Sequence, residues 1–294
     1  MSEHALSLSL AGVHKSFGLK KVLRGVDLSV PVGTITGLIG KNGAGKSTMI
    51  KCLLGLLKID SGTADVFGDT SWNLSAATKQ RIGYVPQTMT GFRWMKIETL
   101  LEYTGAFYSN WNRKKVKSLL VEWDLDPGAR ISRLSEGERQ KLSIILALAH
   151  EPDLFIFDEP VASLDPLARR QFLKELIDLN MNENRTMLFS THITSDLERV
   201  AGDIAILKDG VIAYQGDLAS LQDRIRRLHI RSDRELPDPL PIPKVIRSLI
   251  DRSSATVTVD GLDDEEIRKL QDLLSASISV EQLNLEDIFL EVHR

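Results

Sequence analysis

Between an apolar run and a segment with helical spacing, the chain carries the stretch Gly40-Lys41-Asn42-Gly43-Ala44-Gly45-Lys46-Ser47-Thr48. This pattern matches the glycine-rich phosphate loop that joins a strand to a helix. Glycines let the backbone wrap closely, so successive N–H groups point at phosphate oxygens, and the positive end of the next helix adds attraction. We expect the Lys46 ammonium to reach the outer phosphates and the Ser47 hydroxyl to bind Mg²⁺. All nine residues are predicted to contact ATP or GTP.

Strand-like segments alternate with helical ones around this loop. Ile35–Ile39 is the apolar run before it, and Lys46–Leu57 follows it with helical spacing. Three more apolar runs are predicted as buried strands: Leu154–Phe157, Met187–Ser190 and Ile204–Leu207. The alternation predicts an α/β domain with a largely parallel sheet, which with the phosphate loop indicates a P-loop NTPase core.

Helical patterns replace this alternation between about residues 88 and 150. The segments Glu98–Tyr108, Arg113–Trp123 and Arg139–His150 have helical spacing and few β-branched runs. They predict a helical subdomain inserted between two strands of the core. A nucleotide-binding domain is therefore expected over residues 1–217.

A small α+β accessory domain is expected over residues 218–294. Leu218–Leu228 is predicted as an arginine-rich helix, and alternating prolines from Pro237 to Pro243 deny regular structure to the stretch that follows. Ala255–Val259 alternates as a strand and Asp264–Leu274 has helical spacing. Nothing in this part of the sequence suggests catalysis.

Polar residues follow two of the predicted strands. Asp158, after Leu154–Phe157, can hold a metal through water, and Glu159 can polarise an attacking water. His192 follows the next strand, and the ends of parallel strands converge on one crevice. A solvated strand end and a structural histidine are the alternatives. The phosphate loop upstream makes them the weaker interpretation.

A third motif, Leu134-Ser135-Glu136-Gly137-Glu138, stands directly before the helix that leads to Asp158. Together with the phosphate loop it resembles the ATP-binding cassette (ABC) transporter ATPase family, whose signature usually reads Leu-Ser-Gly-Gly-Gln. The resemblance covers about Leu6 to Gly216. Further family positions match in the same order along the chain.

The resemblance implies roles for individual residues. Phe17 looks like the aromatic that stacks on adenine, and Gln87 looks like the glutamine that contacts Mg²⁺ and the attacking water. Asp158 matches the metal-binding aspartate, Glu159 the catalytic base, and His192 the switch histidine that contacts the γ-phosphate. The segment 162–165 looks like the loop that communicates between two cassettes.

The resemblance also implies partners. Two cassettes would pair head to tail, each ATP lying between the phosphate loop of one and Ser135, Gly137 and Glu138 of the other. A homodimer or a paired cassette would sit beneath a polytopic transmembrane permease subunit, on the inner, cytoplasmic face of the membrane. The tail Leu285–Glu291 is similar to tails of bacterial export cassettes.

The altered signature has a second interpretation. Ser135 and Glu138 also form a capping box, which explains both without a nucleotide. It does not explain Gly137, which costs a helix about 1 kcal/mol relative to alanine. We therefore expect a phosphate to approach the backbone there. Glu136 replaces a family glycine, and its negative charge is predicted to weaken ATP-driven closure of the dimer.

Composition limits the alternatives. A formal net charge of −3 gives no electrostatic case for nucleic acid. The zinc or coiled-coil insertions of ABC ATPases in translation and DNA repair are not recognisable, and the intact Lys46, Asp158, Glu159 and His192 argue against a non-hydrolysing regulator. No apolar run approaches the ~20 residues that span a bilayer.

The sequence leaves two alternatives for the segment after Gln87. Phe92, Trp94 and Met95 would suit contact with a permease helix, or they would pack inside the helical subdomain. Residues 107–111 are expected to belong to the core.

Overall fold

The structure is a computed structural model that describes residues 5–293. Its strands, in chain order, are β1 (Leu6–Phe17), β2 (Lys20–Pro31), β3 (Ile35–Ile39), β4 (Ser61–Val66), β5 (Asp69–Thr70), β6 (Ile82–Val85), β7 (Leu154–Asp158), β8 (Thr186–Ser190), β9 (Asp203–Lys208), β10 (Val211–Asp217), β11 (Ile225–Ser232), β12 (Val245–Asp251), β13 (Ser254–Asp260) and β14 (Ala276–Gln282). The helices are α1 (Lys46–Leu53), α2 (Ala76–Gln80), α3 (Ile97–Gly105), α4 (Arg113–Glu122), α5 (Glu136–Leu148), α6 (Pro166–Glu183), α7 (Thr194–Val200), α8 (Leu218–Arg224), α9 (Asp264–Leu274) and α10 (Leu285–His293).

The chain divides into two compact units between Gln215 and Gly216. The N-terminal unit contains a six-stranded sheet of order β10-β9-β3-β8-β7-β6. Within it β3 pairs in parallel with β8 and β9, and β7 pairs in parallel with β6 and β8. Every residue of β3, β7 and β8 is buried, as expected for a sheet covered on both faces. The predicted α/β fold with a largely parallel sheet is confirmed.

A second, antiparallel sheet of order β2-β1-β4-β5 belongs to the same unit. This sheet was not predicted from the sequence. Its buried residues, among them Leu8 and Val26, share one hydrophobic core with Met49 and Ile50 of α1 and with Ile156 of β7. The helix that follows the phosphate loop is thereby packed into the centre of the unit.

The helices α3, α4 and α5 lie in the chain between β6 and β7. Several helix ends differ from prediction by one to four residues, and two of these differences have a clear cause. α1 ends at Leu53, not Leu57, because Gly55 has a φ of +66° and even a Cβ there would lie 2.0 Å from the Ser71 carbonyl oxygen. α5 begins at Glu136, not Arg139, because Ser135 caps its first turn.

The C-terminal unit is a four-stranded antiparallel sheet of order β12-β13-β11-β14. The predicted helix Leu218–Leu228 is wrong beyond Arg224: the arginine-rich part forms β11, in which Leu228 and Ile230 are buried at a period of two. These two residues share a core with Ile267 and Leu270 of α9. The proline-rich stretch forms no helix or strand, but Leu236, Leu240 and Ile242 within it are buried in the same core.

Candidate active site

The ends of β7 and β8 bring the predicted acidic and basic residues together. Glu159 directly follows β7, and its backbone N–H donates to the Ser190 carbonyl at 3.1 Å. The buried Glu159 carboxylate accepts from the His192 backbone N–H at 3.2 Å and lies 2.6 Å from His192 Nδ1 through the same Oε2. The other oxygen, Oε1, lies 3.3 Å from Lys46 Nζ. One carboxylate thus joins the phosphate loop to the segment after β8.

The phosphate loop connects β3 to α1, as its pattern predicts. Gly45 occupies the N-cap of α1 with a φ of +112°, a conformation that favours glycine. Lys46 is buried, and its Nζ donates to the Gly40 carbonyl at 2.7 Å. A Cβ at Gly43 would meet no atom within 4 Å, so the backbone there is open to a ligand.

The predicted metal residues also meet. Ser47 Oγ donates to Asp158 Oδ1 at 3.1 Å, and Ser190 Oγ donates to the same oxygen at 3.0 Å. Burial raises the pKa of Asp158, whereas both hydrogen bonds act in the opposite direction. Hydroxyl and carboxylate oxygens are the ligands that Mg²⁺ prefers, so Ser47 and Asp158 fit this ion.

A cleft of about 440 Å³ collects most of the predicted nucleotide-binding residues. Its walls come from the phosphate loop, the β1–β2 hairpin and the segments after β6 and β7. They are Phe17, Lys20, Val22, Asn42, Gly43, Gly45, Lys46, Ser47, Thr48, Gln87 and Glu159. Phe17 and Gln87, which the sequence could place only by resemblance, therefore lie beside the loop.

Three residues of the phosphate loop lie outside that lining. Gly40 accepts from Lys46, and a Cβ on Gly40 would lie 2.6 Å from the Leu207 carbonyl oxygen. Ala44 is half-buried against the hydrophobic core, and Lys41 is exposed. Gly40 and Ala44 thus shape the loop by packing.

The signature residues form another group. Ser135 and Glu138 make both hydrogen bonds of a capping box at the start of α5, and these bonds hold the pKa of Glu138 below its usual value. A Cβ at Gly137 would lie 2.8 Å from the Ser163 carbonyl oxygen. That contact within the chain gives one reason for the glycine, and the approach of a phosphate to the backbone there stays a prediction. None of the three lines the cleft of its own chain.

Similarities to known proteins identify the family of this chain. The profile described as ABC transporter matches residues 23–162. The ABC transporter ATP-binding protein NatA of Bacillus subtilis (strain 168) is 33% identical over 213 residues, which are 70% of this chain and 86% of that protein. The chain belongs to the ABC transporter ATP-binding family.

Two more similarities extend this result for the ABC cassette. The Nod factor export ATP-binding protein I of Rhizobium sp. (strain N33) is 30% identical over an alignment of 299 positions, which covers 98% of this chain and 97% of that protein. A solved ATP-binding subunit of an ABC transporter superposes with a TM-score of 0.65 at 29% identity, covering 74% of this chain and 92% of that one. The chain is thus an ATP-binding subunit with the ATPase activity of its family.

Sequence reasoning missed two features of this ABC cassette site. Ser190 bonds the last residue of β7 and the residue after it: its Oγ donates to Asp158 and accepts from the Glu159 N–H at 3.1 Å. Its position as the last residue of β8, two before His192, was the available signal. Lys20 and Val22 line the cleft, and their signal was their closeness to Phe17 in sequence.

An exposed aromatic surface lies on the helical part of the cassette. It consists of Trp94, Phe92, Tyr103 and Phe107, whose ring centroids lie 5.2–6.2 Å apart from each ring to the next in that order. Trp94 is 69% exposed, so it does not pack inside the subdomain. The prediction that residues 107–111 belong to the core is wrong for Phe107, Ser109 and Asn110, which are exposed, and Tyr108 and Trp111 are only half-buried. Phe107 is 63% exposed, and its ring packs on Tyr103 at the surface.

A second cavity of about 460 Å³ connects this surface to the metal residues. Its lining includes Ser47, Gln87 and Asp158 as well as Phe92 and Met89. Among residues 5–293, no helix combines the length and the apolar character needed to cross a membrane.

Proposed function

We propose that this cassette pairs with a second cassette, as a homodimer in the simplest case, and drives a separate polytopic membrane subunit of a bacterial exporter. The Glu159 carboxylate between Lys46 and His192 is the observation that carries the proposal. Export is supported by the relative named for Nod factor export, whose similarity extends through the C-terminal unit. The protein would act on the cytoplasmic face of the membrane, where the permease holds it.

Binding begins with the base and the phosphates. Phe17 stacks on adenine, while Lys46 and the N–H groups from Gly40 to Thr48 bind the phosphate oxygens. Ser47, Asp158 and Gln87 would hold Mg²⁺, which neutralises phosphate charge. Phosphate oxygens then compete with Glu159 Oε1 for the Lys46 ammonium, which lies 3.3 Å away.

Hydrolysis depends on Glu159. Once Lys46 turns to the phosphates, Oε1 is available to accept a proton from the attacking water, while Oε2 stays bonded to His192. His192 would contact the γ-phosphate and so report its presence. Ser135, Gly137 and Glu138 would complete the site of the opposite cassette, consistent with their position outside the cleft of their own chain.

The aromatic surface is the proposed docking site for the permease. Aromatic side chains are enriched in protein interfaces, and the second cavity lies between this surface and the metal residues. Movement of Gln87 on nucleotide binding would therefore reach Phe92. The accessory unit, which we place at residues 218–294, supports assembly or regulation.

ATP hydrolysis by the purified chain tests the assignment of the base. Glu159→Gln should lower turnover by about 10²- to 10⁴-fold and accumulate an ATP-bound dimer in size-exclusion chromatography. Lys46→Ala should lose nucleotide binding. The matched control is Glu122→Gln, an exposed glutamate on α4. Wild-type turnover in Glu159→Gln would show that another group is the base.

Affinity purification from detergent-solubilised native membranes tests the partner. A stoichiometric polytopic membrane protein is expected, and its recovery should fall in Trp94→Ala and Phe107→Ala while ATP binding persists. Met181→Ala, which removes a side chain 79% exposed on α6, is the control. Ribosomal or DNA-repair companions without a membrane protein would favour a soluble ABC ATPase instead.

A further inference from the structure

Asp60 binds three consecutive residues of β1 immediately before Phe17. Its Oδ1 accepts from Lys15 Nζ at 2.9 Å, and its Oδ2 accepts from the Ser16 backbone N–H at 2.6 Å. Its own N–H donates to the His14 carbonyl at 2.9 Å. The hydrogen bond from Lys15 lowers the pKa of Asp60, so the carboxylate is charged at neutral pH. Asp60 is the last residue of the segment that connects α1 to β4, and its bonds fix the backbone that leads into Phe17.

The same lysine contacts the Phe17 ring. Lys15 Nζ lies 5.6 Å from the ring centroid, and only 15% of the lysine side chain is exposed. Phe17 itself is 49% exposed and lines the cleft that contains the phosphate loop. Because Asp60 holds the ammonium, the cation over the ring is confined to one arrangement rather than sampling many rotamers.

We propose that Lys15, held by Asp60, is a positioning residue that presents Phe17 as a platform for the base of the bound nucleotide. The role rests on the proposed function, in which Phe17 stacks on adenine. The ammonium takes one face of the ring and leaves the opposite face to the base. Ring faces carry negative charge density, so a cation on one face reduces repulsion of a purine stacked on the other. Lys15 thus strengthens the base-dependent part of nucleotide affinity.

Comparing MgATP with a ligand that lacks the base distinguishes an effect on base stacking from a general effect on the nucleotide site. Affinities of the full chain for MgATP and for magnesium tripolyphosphate are measured by calorimetry. Lys15→Met should weaken MgATP binding about 2- to 5-fold, the range of an exposed cation–π contact, and leave tripolyphosphate binding unchanged. KM for ATP should rise by the same factor with kcat unchanged. Lys15→Arg should restore the wild-type values.

Three further variants complete the design. Asp60→Asn should act in the same direction as Lys15→Met, because it releases the ammonium from its place over the ring. Lys21→Met removes an exposed lysine outside the cleft lining and controls for the loss of one positive charge. In a Phe17→Leu background, Lys15→Met should have no further effect on MgATP affinity.

The results that overturn the positioning role are distinct. Equal losses for MgATP and tripolyphosphate would show that Lys15 acts on the phosphate loop or on folding. Unchanged MgATP affinity would show that Lys15 and Asp60 are only a surface ion pair, of the kind that contributes little. If Lys46→Ala bound both ligands as the wild type does, the nucleotide site itself would be misassigned and the positioning role would fail with it.

Discussion

Glu159 and His192 are joined twice, through the backbone N–H of His192 at 3.2 Å and through its Nδ1 at 2.6 Å. The pairing of β7 with β8 explains the closeness, since Asp158 and Ser190 are partners in register one and two residues earlier. Glu159 has a φ of +51°, which is uncommon for a residue other than glycine. The position of the proposed base therefore depends on the segment that follows β8.

His192→Ala keeps the backbone hydrogen bond to Glu159 and removes the ring contact. We expect kcat for ATP hydrolysis to fall about 10²-fold, the effect of misplacing a catalytic group by about an ångström. The dissociation constant for ATP should change much less than kcat, because Lys46 and the phosphate loop still bind the phosphates after the His192 contact with the γ-phosphate is lost. Steady-state kinetics and calorimetry measure the two quantities. His229→Ala, in the C-terminal unit, is the control, and equal kcat in both variants would contradict the role of the ring.

Gly137→Ala tests why the signature contains a glycine. The new Cβ would lie 2.8 Å from the Ser163 carbonyl oxygen, so the start of α5 or the segment 162–165 must move. We expect a cost of ~1–3 kcal/mol from this clash against a helix-propensity gain of ~1 kcal/mol. Urea unfolding should show a net loss of stability. Gly202→Ala, where a Cβ meets nothing within 4 Å, should be nearly neutral. Full stability of Gly137→Ala with lost ATPase activity would instead indicate a close phosphate.

Glu136→Gly should change stability and dimerisation in opposite directions. Glu136 is the first residue of α5 and interacts favourably with the positive helix end, so its replacement by glycine should cost about 1 kcal/mol. Removing its charge near the opposite cassette's ATP should strengthen ATP-driven dimerisation, most clearly at low salt. Size-exclusion chromatography across salt concentrations measures this effect. Glu98→Gly, in the first turn of α3, is the control. Identical dimerisation of wild type and Glu136→Gly at low salt would refute the proposed effect of the Glu136 charge on dimerisation.

His150 predicts a dependence of stability on pH. Its ring is buried after α5, Nε2 lies 3.0 Å from the Ile82 carbonyl oxygen, and the ring stacks on Tyr108. Burial lowers the pKa of His150 below the ordinary 6.5, so the unfolded chain takes up the proton first as pH falls. The free energy of unfolding should therefore decrease as pH falls through about 6.5.

His150→Gln retains a donor for the Ile82 carbonyl and cannot titrate. Its urea unfolding at about pH 7.5 and about pH 5.5, either side of the ordinary histidine pKa, should show a smaller loss of stability than the wild type. Equal losses would mean that other groups cause the decline.

The order of strands and helices around the phosphate loop was predicted more accurately than the residues at which the helices end. β3 spans the predicted Ile35–Ile39, because a short apolar run next to a glycine turn is a local signal. The end of α1 was missed although Gly55, just after the C-cap Leu54, is a common local stop signal; only the fold shows that its backbone also approaches Ser71. β11 was mistaken for helix because its apolar residues, Ile225, Leu228 and Ile230, and its arginines satisfy a helical period about as well as a period of two.

The phosphate loop, the acidic pair after β7 and the membership of the ABC family follow from the sequence by itself. These features consist of consecutive residues whose spacing and chemistry are visible without a fold. The contacts of the proposed site follow only from the tertiary structure. Ser47 meets Asp158 across 111 residues because α1 packs against the sheet beside β7. Glu159 meets His192 across 33 residues because β7 pairs in parallel with β8. Gly137 shows the same division: the sequence shows the glycine, but only the fold shows that the distant carbonyl of Ser163 lies close to it.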